Sequence, residues 1–234
     1  MTSAPSPVTE RRRPLVVAID GPAASGKSST AKWVARELGL RHVDSGSLYR
    51  AATAAALRSG RAPETWLERD VLAAAQPLHL VPAETTFHPY LGDEDLEAEI
   101  RGKEVTANVS LVARMPAVRT WVNAQVRAAA EGHPIVVDGR DMGTAVFPQA
   151  RVKVFLVADP WERARRRLVQ RLQRAPDDAE IAAEVEALVQ RDLKDEAQTQ
   201  QAKDAVLIDT TFLTQEEQVQ RIVALARQAL KGAP

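Results

Sequence analysis

The chain has 234 residues, 45% of them hydrophobic, and its 31 basic side chains are matched by 31 acidic ones. That length suits one α/β domain with additions, and the zero balance argues against a nucleic-acid coat or a membrane-surface protein. With no cysteine, disulfides, zinc–thiolate sites and cysteine nucleophiles are excluded.

Residues 1–13, MTSAPSPVTERRR, are polar and read as a disordered tail. The apolar run after them stops at Asp20, too short for the core of a signal peptide, and no segment reaches the length of a membrane span. A cytoplasmic protein is expected. Five short runs rich in valine and isoleucine, at 15–19, 41–43, 134–138, 152–157 and 205–209, read as buried parallel strands separated by helical patterns. The alternation predicts an α/β fold, a parallel sheet with helices on both faces. His42, His79, His88 and His133 have no metal-ligand spacing and read as surface or core residues.

The first strand runs into DGPAASGKSST, residues 20–30. Gly21, Gly26, Lys27 and Ser28 fill every fixed position of G-x-x-x-x-G-K-[ST], with a strand before and an amphipathic helix after. Glycines let the backbone curl so that successive N–H groups point at phosphate oxygens. The helix N-terminus adds partial positive charge. Lys27 can reach the β- and γ-phosphates, and the Ser28 hydroxyl can ligate magnesium. A nucleotide phosphate is therefore expected, although switch proteins, motors and small-molecule kinases share this loop.

The second strand leads into VDSGSLYRAA, residues 43–52, where Arg50 lies one turn into a helix and could grip an anion. Taken alone, an exposed arginine on a capped helix is the plainer reading. Residues 76–113 break the α/β rhythm with short extended pieces, PLHLVP and TFHPYLGDEDL, and predict antiparallel strands in a small insertion. The third strand ends at Asp138, and Gly139, Arg140, Asp141 and Gly143 form a loop off its carboxyl end. Ligands of open α/β sheets sit at such ends; a plain helix cap is the lesser reading of Asp138, because three charged residues in four positions follow a buried strand.

Residues 160–204 are polar, helical and rich in arginine, with few apolar anchors, and predict a segment mobile relative to the core. Asp159, Pro160 and Glu162 mark one helix start, TQEE at 214–217 another, and APDD at 175–178 a break between two helices. Arg163, Arg167, Arg171 and Arg174 share a helical face. For Arg171 and Arg174 the plain reading is a solvated face paired with the acidic helix at 177–192.

Taken together, DGPAASGKSS, DSGSLYR, EIRGKEVTANVS, PAVR, VVDGRDMGTAVFP, ERARRR, RDLKD and DAVLIDTT resemble bacterial cytidylate kinases, in that order, over roughly residues 15–230. The resemblance implies a nucleoside-monophosphate-kinase fold: a P-loop core with a five-stranded parallel sheet (14–75, 114–159, 205–234), a monophosphate-binding insertion (76–113) and a helical lid (160–204). It implies ATP-dependent phosphorylation of CMP and dCMP in pyrimidine nucleotide metabolism, with Mg²⁺ as cofactor, ATP and CMP or dCMP as the small-molecule partners, no nucleic acid or membrane partner, and a monomer. Gly21, Pro22, Ala23, Ala24, Ser25, Gly26, Lys27, Ser28, Ser29 and Thr30 would hold ATP. Ser45, Arg50 and Arg140 would lie at the acceptor phosphate. Ser110, Arg119 and Asp141 would face cytosine, and Arg191 and Asp195 the ribose. Lys27, Arg140, Arg163 and Arg167 would act on the transferring group, with Arg163, Arg166 and Arg167 carried by the lid. Ser28 is the expected metal ligand, with Asp20 or Asp138 ordering the metal's waters.

Two departures stand out. Gln198 occupies a position where the family usually has arginine, and the stretch from Arg191 to DAVLID is about four residues shorter than usual. Lys194 or Lys203 are the candidate substitutes. Ser28 supplies a hydroxyl where many members have glycine. The rival readings are a P-loop kinase for another small acceptor and a nucleotide-dependent switch protein. The guanine-reading N-K-x-D motif and an apolar strand ending in Asp-Glu are both absent from the sequence.

Overall fold

The computed structural model describes residues 14–231, so the tail expected over 1–13 lies outside the described residues. In chain order the strands are β1 (Val16–Asp20), β2 (Arg41–Asp44), β3 (Leu78–Pro82), β4 (Phe87–Leu91), β5 (Glu94–Asp95), β6 (Ile135–Asp138), β7 (Val152–Val157) and β8 (Val206–Asp209). The helices are α1 (Lys27–Leu38), α2 (Ser45–Leu57), α3 (Glu68–Ala75), α4 (Lys103–Ala113), α5 (Pro116–Ala130), α6 (Pro160–Leu172), α7 (Asp178–Asp195) and α8 (Gln215–Lys231).

Five strands form a parallel sheet in the order β2-β6-β1-β7-β8, within a residue or two of the positions expected from the sequence. Central β1 sets Val17 beside Val136 on one side and Val152 on the other. Its Val17, Ala18 and Ile19 are wholly buried, which explains why the strand reads as a continuous apolar run. One face of the sheet packs on α2, α4 and α5 through Val43, Leu48, Val109, Val118 and Val122. The other packs on α1 and α8 through Val34, Ala35, Val219, Ile222 and Val223. The result is a helix–sheet–helix sandwich. β1, β2 and β6 all end in aspartate, Asp20, Asp44 and Asp138, which concentrates polar groups at one edge of the sheet.

The extended pieces of 76–113 form a small antiparallel sheet, β3-β4-β5, with Gly92 at φ 58° in the turn between β4 and β5. Strands account for only part of that stretch. From Lys103 the chain is α4, because Val105, Val109 and Val112 recur at helical spacing and are buried. The helix starts of the second half are built as their sequences predict. Asp159 accepts hydrogen bonds from the Trp161 and Glu162 N–H groups. Asp177 and Glu180 complete a capping box at α7. Thr214 and Glu217 exchange hydrogen bonds at the start of α8. Among the described residues no helix is long and apolar enough to cross a membrane.

Candidate active site

The loop from Gly21 to Gly26 joins β1 to α1 at the carboxyl edge of the sheet. Gly21 has φ 146°, and a Cβ on it would lie 2.1 Å from the Leu156 carbonyl oxygen of β7. Only glycine lets the loop pass that close to the sheet. Gly26 (φ 90°) precedes α1 with no side-chain cap, and the first turn of α1 holds no acidic residue. The leading N–H groups of α1 and their partial positive charge are thus left for an anion. Lys27 Nζ donates to the Pro22 carbonyl at 2.5 Å and lies 3.5 Å from Ser25 Oγ. Burial, reinforced by the nearby Arg140 charge, pushes the Lys27 ammonium well below the usual lysine range.

The loop opens onto a cavity of about 770 Å³. Lys27, Ser28 and Ser29 form one side, and Asp44, Ser45, Tyr49 and Arg50 from β2 and α2 form another. Ser110 of α4, Arg119 of α5, the segment 138–141, Arg166 and Arg167 of α6, and Arg191 and Asp195 of α7 complete the wall. Elements spread over most of the chain, from α1 to α7, therefore meet here.

Arg50 donates to the Ile100 carbonyl at 3.2 Å and to Thr106 Oγ1 at 3.1 Å, while burial holds its guanidinium below the ordinary arginine range. Arg140 and Arg191 both approach Asp195, at 3.4 and 3.7 Å. Burial and the Arg140 charge bring Arg191 down to about 10. The Nε atoms of Arg140 and Arg191 are buried without a hydrogen-bond partner among the described residues. At the far end Arg119 is paired with Asp141 and donates to the Ala113 carbonyl at 3.1 Å. Its guanidinium lies 5.7 Å from the centre of the Tyr49 ring. Burial raises the Asp141 carboxyl against the lowering effect of Arg119.

The loop after β6 is held from a distance. Asp20 accepts the Met142 and Gly143 N–H groups, each at 2.8 Å, and so ties the π-helical turn Met142–Val146 to β1. A Cβ on Gly139 would lie 2.6 Å from Ser45 Oγ, so this loop and the start of α2 lie in close contact.

Of the residues expected at the nucleotide sites, the structure gathers Ala23, Ala24, Gly26, Lys27, Ser28 and Ser29 around the cavity, together with Ser45, Arg50, Ser110, Arg119, Arg140, Asp141, Arg167, Arg191 and Asp195. Gly21, Pro22, Ser25 and Thr30 do not line the cavity. Three expectations meet a different geometry. Asp20 spends both carboxylate oxygens on backbone donors and does not line the cavity, which leaves Asp138 as the carboxylate beside Ser28, at 2.6 Å from its Oγ. Arg163 is buried behind the loop, donating to the Ala23 carbonyl at 2.9 Å and to Asp192 at 2.6 Å, and the α6 arginines that face the cavity are Arg166 and Arg167. Lys194 and Lys203 are exposed and away from the cavity, whereas Gln198 lines it. The plain reading of Arg171 and Arg174 holds: they pair with Glu184 and Glu180 of α7.

Tyr49, Arg101, Thr106, Gln215 and Gln218 also line the cavity, and sequence reasoning did not single them out. Tyr49 and Thr106 sit inside the segments DSGSLYR and EIRGKEVTANVS, so neighbourhood in a motif was the signal available. Gln215 and Gln218 carry none, because their place depends on α8 packing against α1, where both meet Thr30 Oγ1.

A sequence profile described as cytidylate kinase matches residues 17–228. The chain is 39% identical over 218 residues to a cytidylate kinase of Limosilactobacillus reuteri (strain DSM 20016), covering 92% of this chain and 96% of that one. It is 42% identical over 226 residues to a cytidylate kinase of Mycobacterium avium (strain 104), covering 92% and 96%. A third, from Exiguobacterium sibiricum, is 39% identical over 221 residues, covering 93% and 99%. On a match of that extent, the chain belongs to the cytidylate kinase family.

Proposed function

We propose that this protein transfers the γ-phosphoryl group of ATP to CMP or dCMP, giving ADP and CDP or dCDP, as an enzyme of pyrimidine nucleotide metabolism. The observation that carries the reading is the charge of the cavity. Lys27, Arg50, Arg140, Arg167 and Arg191 converge on one space, and two of the guanidinium Nε donors are buried unpaired. Asp195 is shared between Arg140 and Arg191, and Glu184 pairs with Arg167, so carboxylates answer this charge only in part; two nucleotide phosphates brought end to end would answer the rest.

In this reading residues 14–75, 114–159 and 205–234 are the P-loop kinase core, 76–113 binds the monophosphate, and 160–204 is a lid. ATP phosphates sit on the loop from Gly21 to Thr30. Arg50 and Arg140 hold the acceptor phosphate in line with the donor, and Ser45 lies beside it. Ser110, Arg119 and Asp141 read cytosine, while Arg191 and Asp195 hold the ribose. Arg167, with Arg166 beside it, adds positive charge over the transferring group, and Arg163 braces the loop. The acceptor phosphate, with a second pKa of about 6, is already a nucleophile near neutral pH, so no general base is required. Catalysis is then positioning and charge neutralisation.

Ser28 Oγ and Asp138 offer the hydroxyl and carboxylate oxygens that a hard cation prefers. Among the described residues no cluster of three or more His, Cys, Asp or Glu makes a separate metal cage. Mg²⁺ held there with ATP would neutralise charge on the phosphate oxygens. The protein would work as a cytoplasmic monomer.

The Arg119–Asp141 pair makes the reading testable. Cytosine presents a 4-amino donor to a carboxylate and N3 and O2 acceptors to a guanidinium. Uracil inverts N3 and the 4-position and would leave buried polar groups unpaired, at about 1–3 kcal/mol each. An ADP-release assay across CMP, dCMP, UMP and AMP should give a kcat/KM for CMP roughly a hundredfold above that for UMP. Comparable values would overturn the roles of Arg119 and Asp141, and slow ATP hydrolysis indifferent to every acceptor would favour a switch protein.

A further inference from the structure

His42 is wholly buried on β2 and does not line the cavity. The strand register sets it opposite Val136, so its ring stands on the same face of the sheet as Asp138, two residues further along β6. His42 Nε2 lies 2.6 Å from Asp138 Oδ1, and Ser28 Oγ donates to Asp138 Oδ2 at 2.6 Å. On the other side of the ring, Nδ1 lies 3.4 Å from Thr86 Oγ1, in the turn between β3 and β4. The His42 backbone N–H also donates to the Thr85 carbonyl at 2.9 Å, so the ring and its main chain are both gripped by that turn.

The donors and acceptors fix the side of the ring that faces β6. A carboxylate accepts only, so Nε2 carries the proton toward Asp138, while the Thr86 hydroxyl can partner Nδ1 as donor or as acceptor. Ser28 meets the carboxylate and not the ring, so the ring cannot take the serine proton. The arrangement is therefore a holding device for Asp138 and not the activation of a nucleophile. Asp138 is itself almost wholly buried yet touches the cavity. A buried carboxylate in such a chain keeps its orientation only while each partner is in place.

We propose that His42 is a positioning residue: through the chain Thr86–His42–Asp138–Ser28 it fixes the Asp138 carboxylate against the start of α1, and so ties the small antiparallel sheet to the phosphate loop. The role rests on the kinase reading above for its effect on rate. The chain of hydrogen bonds itself does not.

The test has a kinetic arm and a spectroscopic arm. His42→Phe keeps the volume and removes the donor. It should lower kcat about 10- to 100-fold with the KM for CMP changed less than about threefold, as for a residue acting through a catalytic neighbour. His42→Gln, whose amide can still donate to Asp138, should recover most of that loss, and Thr86→Val should show a smaller one. A kcat for His42→Phe within twofold of the parent, or equal losses for Phe and Gln, overturns the proposal. Proton–nitrogen spectra of the ring in the unaltered protein decide the matter even where His42→Phe fails to fold. A protonated Nε2 whose resonance shifts when ATP is added supports the chain. A proton on Nδ1 alone, or a ring indifferent to ATP, overturns it. Should the ring respond to ATP while CMP is not phosphorylated, the kinase reading fails and the positioning of Asp138 stands.

Discussion

Gln198 lines the cavity three residues beyond Asp195, which Arg140 and Arg191 approach, and the family resemblance implied an arginine there. A neutral amide offers a phosphate a hydrogen bond of about 0.5–1.5 kcal/mol, and a guanidinium one of about 1.5–3 kcal/mol. The difference, about 1 kcal/mol, corresponds to roughly fivefold in binding. Gln198→Arg is therefore expected to lower the KM for CMP about fivefold with kcat little changed. An unchanged KM in steady-state kinetics would remove Gln198 from the acceptor site. Gly21 shows the opposite kind of residue, one fixed by shape and not by charge. Its place against the Leu156 carbonyl was implicit in the glycine motif, whereas the identity of the neighbour was not.

At the scale of elements, the hairpin of α6 and α7 departs most from expectation. Its sequence is so polar that few apolar anchors were visible, yet Ala164, Leu168, Ile181 and Leu188 are buried in a cluster that includes Ala23 of the phosphate loop. Arginines fill the positions around them, which hid the stripe. The ion pair between Arg174 and Glu180 lies in water, where salt screens it. The apolar cluster therefore does more to hold the hairpin in place. Leu168→Ala would remove a buried side chain worth about 2–5 kcal/mol, more than a small hairpin can lose and stay docked. The expected outcome is faster proteolytic cleavage within 160–204 and a raised KM for ATP, with the melting temperature of the sheet less affected. Cleavage at the parental rate would show that the polar contacts suffice.

At the scale of the whole molecule, the parallel sheet was legible because its inner strands β1, β6 and β7 are largely buried and need uninterrupted runs such as LVVAI and IVVD, whereas the edge strand β8, expected to be buried, exposes Val206 and Leu207. The helix starts were legible because capping is local chemistry. What could not be seen depends on partners distant in sequence. Asp20 reads as a candidate for ordering metal waters until its two oxygens are found on Met142 and Gly143. Arg163 reads as one more lid arginine until Ala23 and Asp192 claim it. His42 reads as an unremarkable histidine until β2 is laid beside β6 and the turn at Thr86 closes over it. The family motifs named most of the cavity wall, because each carries its residues on a short stretch. Their mutual distances came only with the fold.

Ala23 belongs at once to the curve that would cradle phosphate and to the small greasy knot between α6 and α7. Neither can loosen without disturbing the other. In amide-exchange measurements the N–H groups of residues 23–26 and those of the inner faces of α6 and α7 should open together as one cooperative unit. ATP should slow that opening in both by the same factor, although only one of the two touches its phosphates.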